Sequence, residues 1–108
     1  MKLKRVEDHL REELKDPYFR ELYELEEQKM GVVKKIIEYR IKHGMNQTQL
    51  AKRVGVTQQH ISKIESGEFS SVTTLEKVLL HLGYTVKIQA IPLSRQTARK
   101  IASAIAKA

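Results

Sequence analysis

The chain of 108 residues has room for one compact domain and an additional helix or two. Its hydrophobic fraction of 41% supports a core, its charged fraction of 31% supplies a soluble surface, and its net charge is +7. No run approaches the roughly 18 apolar residues of a membrane-spanning helix, and the absence of cysteine excludes disulfides, thiol chemistry and cysteine zinc sites.

The charge is unevenly placed. Residues 1–29 hold seven Lys/Arg and nine Asp/Glu, a net of −2, whereas residues 30–108 hold thirteen and four, a net of +9. Such a basic half suits a polyanionic partner. The four histidines stand at 9, 43, 60 and 81, without ligand spacing. The first fifteen residues alternate charges with single apolar residues and do not read as a secretory signal. The expectation is a cytoplasmic protein with no membrane association, metal or cofactor.

Residues 4–14 read as a short amphipathic helix, with Val6, Leu10 and Leu14 at spacing four. Asp16 can cap a new helix whose first position, Pro17, loses no hydrogen bond there. The helical pattern then holds to about His43. Phe19, Leu22, Tyr23 and Leu25 form one apolar stripe, and Val32, Val33, Ile36, Ile37 and Ile41 a second. Gly31 falls between them, and the pattern suits one helix or two. Gly44 ends the run at a C-cap.

The stretch from Asn46 to Gly67, NQTQLAKRVGVTQQHISKIESG, reads as two short helices joined by a tight turn. Asn46 and Gln49 have the spacing of a capping box. Leu50, Ala51 and Val54 face inward, Gly55 permits a positive φ, and Val56 plugs the turn. Thr57 caps the second helix, whose Ile61 and Ile64 point to the core. Its front carries Thr57, Gln58, Gln59, His60 and Lys63, polar and short of acids. A purely structural hairpin has no need of such a front, whereas a helix entering the DNA major groove does. Lys52 and Arg53 meet either phosphates or solvent.

Ser71 caps a further helix in which Val72, Leu75, Val78, Leu79 and Leu82 keep helical spacing, closed by Gly83. Tyr84–Ile91 then alternates with period two, a strand signature stopped by Pro92. With no second strand in the chain, it must pair with another copy, pair with a partner, or stay a solvated extension. Ser94 caps a last basic helix.

Gln47, Leu50, Ala51, Val54, Gly55, Val56, Ile61, Ile64, Glu65 and Gly67, followed by TLEKVLLHLG, resemble the Xre/Cro family of bacterial and phage regulators. The resemblance implies an all-α domain of five packed helices, the third in the major groove. It implies that Gln47 contacts a phosphate and that Thr57 caps the recognition helix near the backbone. Gln58, Gln59 and His60 would face base edges, with Ser62 and Lys63 alongside. Glu65 would be structural. Gln can pair bidentately with adenine, and a good base contact discriminates by about 1–3 kcal/mol. Family members bind near-palindromic duplexes as homodimers, with recognition helices roughly 34 Å apart.

The flanks sharpen the resemblance. DHLREELKDPYFRELYELEEQK ahead of the motif, and a period-two segment after it, are similar to HigA-type antitoxins, which repress their own operon and bind a small basic RNase toxin of the RelE/ParE type. On that likeness residues 1–30 are a toxin-binding extension using Leu14, Phe19, Leu22, Tyr23 and Leu25. Residues 31–83 are the helix-turn-helix domain. Residues 84–108 are a strand plus a helix that extends a dimer interface or adds phosphate contacts. The rivals are a stand-alone or phage-type repressor, an adaptor that has lost DNA binding, and a small nuclease. The last lacks clustered carboxylates, a nucleophile–base pair or a phosphate loop, so no catalytic residue is assigned.

Overall fold

The computed structural model of the chain describes residues 2–107, with side chains from Glu7 to Ala106. Six helices follow in order: α1 Lys2–Glu13, α2 Pro17–Lys42, α3 Gln47–Val54, α4 Gln58–Glu65, α5 Val72–Leu82 and α6 Arg95–Lys107. The chain divides into two units: residues 28–88, and the described residues up to Glu27 together with those from Gln89 on.

The 28–88 unit holds the core. Ile36, Leu50, Ala51, Val54, Ile61, Ile64, Leu75, Val78 and Leu79 form one buried cluster, with Tyr39, Met45, Val56, Phe69, Leu82 and Val86 packed against its edge. Each helix contributes the inward positions of its own period: Ile36 from α2, Leu50, Ala51 and Val54 from α3, Ile61 and Ile64 from α4, and Leu75, Val78 and Leu79 from α5. Lys29 places its ammonium 5.5 Å from the centre of the Phe69 ring, a cation–π contact over the loop between α4 and α5.

The resemblance implies five packed helices; among the described residues this core is built by four, α2 to α5. After Gly83, in the left-handed region at φ 92°, no helix forms until Arg95. The expected strand at Tyr84–Ile91 is absent as well. Its period is that of a strand, but no other segment among the described residues offers a ladder partner, so the backbone stays an extension. Val86 alone packs on the core edge, while Ile88 and Ile91 are exposed.

α2 resolves the ambiguity at Gly31, for it is one uninterrupted helix of 26 residues. A glycine inside a helix costs about 1 kcal/mol relative to alanine, less than the burial of Val33 and Ile36 in the following turns contributes. Of the second apolar stripe, Val33 and Ile36 are buried and Ile41 is exposed.

In the other unit, Asp16 caps α2 by accepting from the Tyr18 N–H at 2.9 Å, with Pro17 at the first helical position as expected. His9 and Glu13 pair at 2.8 Å along α1. Leu10 and Leu14 are half-buried, and Val6, their expected companion, has its side chain outside the described residues. No described helix is long and apolar enough to cross a membrane.

Candidate nucleic-acid interface

The turn between α3 and α4 is held at every joint. Asn46 accepts from the Gln49 N–H while Gln49 accepts from the Asn46 N–H, both at 2.8 Å, so two helix-end donors are satisfied reciprocally. Gly55, at φ 84°, turns the chain in the left-handed region. Its N–H and that of Val56 both donate to the Ala51 carbonyl, at 2.9 and 3.0 Å. Lys77 reaches across from α5 to donate to the Gly55 carbonyl at 2.9 Å. Thr57 then accepts from the His60 N–H at 3.2 Å, capping α4. The direction in which α4 leaves the turn is therefore fixed by local hydrogen bonds as well as by packing.

Helical geometry sorts the α4 side chains by about 100° per residue. Ile61 and Ile64 face the core. Opposite them stand Gln59, Ser62 and Lys63, of which Gln59 and Lys63 are exposed and Ser62 is half-buried. Gln58 and Glu65 share one flank, toward α3. His60 lies on the other, lining a concavity with Thr57, Thr73, Thr74 and Lys77. The sequence expectation grouped Gln58, Gln59 and His60 together. In the structure the three fan out in equal steps of about 100°, Gln58 toward α3, Gln59 outward and His60 toward the N-terminal half of α5.

A hydrogen-bonded chain runs along the α3 flank. Arg40 of α2 grips Glu65 at two points, Nε to Oε2 and Nη2 to Oε1, each 2.9 Å, and its Nη1 donates to the Met45 carbonyl at 3.2 Å. The bond to Glu65 raises the Arg40 guanidinium above its ordinary range, a charge-assisted fork of the strong kind. Gln47 Nε2 donates to Glu65 Oε1 at 3.2 Å, and Gln58 Nε2 donates to Gln47 Oε1 at 2.8 Å. A glutamine amide has two N–H donors and a two-lone-pair oxygen. Gln58 thus keeps one N–H and its Oε1 for an outside group, the donor–acceptor pair that matches adenine N7 and N6. Gln47, read from the resemblance as a phosphate contact, is half-buried and bridges Glu65 to Gln58.

Nothing in the sequence singles out Arg40 or Lys77. Arg40 sits in a helix with other basic residues, and nothing in its local pattern reveals a partner 25 residues away. Lys52 and Arg53 are exposed, and Arg53 approaches the Met45 sulfur at 3.7 Å.

The residues assigned to a protein partner lie apart from this interface in sequence. Leu14 is in the turn after α1; Phe19, Leu22, Tyr23 and Leu25 are in the first turns of α2. Leu22 and Leu25 are 48% and 52% exposed, whereas Leu14, Phe19 and Tyr23 are half-buried. Phe19 and Tyr23 stack with ring centres 6.3 Å apart. A hydrogen bond to the Glu27 carboxylate holds the Tyr23 phenol above its usual range.

No solved structure matches the chain. The helix-turn-helix family model matches residues 36–88, a span that takes in the end of α2, the capped turn, α4 and α5. Residues 36–88 are therefore a helix-turn-helix domain of the Xre/Cro type, the sequence-specific DNA-binding part of a transcriptional regulator.

Proposed function

We propose that the chain is an autoregulating antitoxin. The helix-turn-helix reads a near-palindromic operator as a homodimer, and the N-terminal helices neutralise a co-encoded, mRNA-cleaving toxin of the RelE/ParE type, similar to HigB. The DNA-facing residues are Gln58 and Gln59 on base edges, Lys63 on a base or phosphate, and Thr57, His60 and Ser62 close to the backbone. Gln47 supports Gln58 from behind.

The observation that carries the antitoxin reading is an apolar row left open on an acidic segment. Leu22 and Leu25 are exposed, and residues 1–29 carry nine Asp/Glu against seven Lys/Arg. A small basic ribonuclease complements both features: charge steers the encounter and the leucines supply area to bury. A stand-alone repressor shares the DNA chemistry and has no use for this face.

The test is purification of the tagged chain from its own host, followed by the same experiment with Phe19→Asp and Leu22→Asp together. Recovery of a stoichiometric basic ribonuclease, released by the double substitution while duplex binding persists, supports the antitoxin. Recovery of a specific duplex with no protein partner leaves a stand-alone repressor. For the operator, a footprint over two symmetric half-sites supports the dimer, and a single asymmetric half-site counts against it.

A further inference from the structure

The segment after α5 is unusual in charge. Residues 84–108 contain five Lys/Arg and no Asp/Glu. Within α6, Arg95, Arg99 and Lys100 fall in one arc of roughly 140°, while Ala98, Ile101, Ala102 and Ile105 occupy the opposite side. All three basic side chains are exposed. None has an ion pair or hydrogen bond to another described residue. The helix carries its own start: Ser94 Oγ accepts from the Thr97 N–H at 3.1 Å and donates to Thr97 Oγ1 at 2.8 Å.

We infer that α6 is a second, sequence-independent DNA contact, whose Arg95, Arg99 and Lys100 neutralise backbone phosphates outside the stretch read by α4. The inference rests on the helix-turn-helix reading of residues 36–88. An all-basic, unpaired face fits a polyanion, and charge complementarity selects duplex DNA because the same chain already binds it. The opposite side is mostly alanine with two isoleucines, which is little apolar area for insertion between lipid headgroups, where Trp, Phe and Leu are usual. Reach is sufficient. The eleven residues between Gly83 and Arg95 form no helix or strand. Counted from Val86, which packs on the core edge, the eight residues to Arg95 span at most about 26–29 Å fully extended, most of one turn of duplex.

The test measures binding of the full chain to a selected duplex and to a scrambled one over a range of salt, for the wild type and for Arg95→Gln/Arg99→Gln/Lys100→Gln. Each phosphate contact contributes about 0.9 to the slope of log K against log salt. The triple variant should therefore lose about 2–3 from that slope. It should bind both duplexes more weakly by the same factor, on the order of tenfold or more at physiological salt, because phosphate contacts carry no sequence information. Arg95→Lys/Arg99→Lys should keep the slope, since charge and not a planar fork is required.

An unchanged slope in the triple variant, with unaltered helicity by circular dichroism, overturns the inference while leaving the helix-turn-helix reading intact. The same holds if the triple variant instead loses binding to phosphatidylserine vesicles at unchanged DNA slope. Absence of salt-dependent duplex binding by the wild type overturns both readings.

Discussion

Arg40 and Glu65 meet across the helix-turn-helix in a two-point fork, with side chains only 19% and 7% exposed. The pair fastens the end of α2 to the end of the recognition helix, and through Gln47 it continues to the first residue of that helix. The fork and the proposed DNA-facing Gln58 therefore share one hydrogen-bonded chain.

Replacing Arg40 with Met strands a largely covered carboxylate and should cost about 2 kcal/mol in urea unfolding. Arg40→Met/Glu65→Leu should cost less than the sum of its single changes, because neither charge is then left alone. The hydrogen bond to Glu65 raises the Arg40 pKa. A raised folded-state value stabilises fully below the unfolded pKa and is lost only as pH climbs through the folded one. The difference between wild type and Arg40→Met should accordingly stay constant through neutral and mildly alkaline pH. A difference that fades toward neutrality would contradict this assignment.

Gln47 and Gln58 should couple in DNA binding. Each alanine substitution alone is expected to weaken a selected duplex, Gln58→Ala by about 1–3 kcal/mol and Gln47→Ala by about 1 kcal/mol through loss of the supporting bond. The double variant should fall short of their sum by about 0.5–1 kcal/mol. Strict additivity in a double-mutant cycle would mean that Gln47 acts independently, as a direct phosphate contact.

Two glycines should respond to alanine with opposite sign. Gly31 is helical, and a Cβ there meets nothing within 4 Å. Gly31→Ala should stabilise by about 0.5–1 kcal/mol and raise the melting temperature. Gly55 has φ +84°, and a Cβ would lie 3.3 Å from the Lys77 ammonium that holds its carbonyl. Gly55→Ala should destabilise by about 1 kcal/mol or more, with Gly55→Asn milder because Asn tolerates the left-handed region better. Equal melting temperatures for the two alanine variants would contradict the turn geometry.

Core and surface leucine-type positions of α2 should separate sharply. Ile36 is fully buried, so Ile36→Ala should cost about 2–5 kcal/mol. Leu22 is half exposed, and Leu22→Ala should stay within about 0.5 kcal/mol of the wild type. A large loss on Leu22→Ala would mean that the exposed row serves folding and not a partner.

What the sequence revealed was mostly local. The capping box at Asn46 and Gln49, the Gly55 turn, the Thr57 and Ser71 caps and the inward set Leu50, Ala51, Val54, Ile61 and Ile64 are all set by spacings of one to four residues, and the structure has each of them. Long-range relations were not legible. The Arg40–Glu65 fork and the Lys77 bond to the Gly55 carbonyl depend on how helices meet, which no local period encodes. At Tyr84–Ile91 the period is that of a strand, but alternation only licenses a strand, and a ladder needs a second segment.

Sequence reading by α4 is tested by selecting duplexes from a random pool with the full chain, then titrating the selected and a scrambled duplex with wild type and Gln59→Ala. Gln59 stands on the outward face of α4, and its side chain makes no hydrogen bond to another described residue. The wild type should prefer the selected duplex by a factor of about 1,000 or more. Gln59→Ala should lose about 1–3 kcal/mol of that preference while keeping its affinity for scrambled DNA. Equal affinity of the wild type for both duplexes, or a preference untouched by Gln59→Ala, would contradict a sequence-reading role for α4.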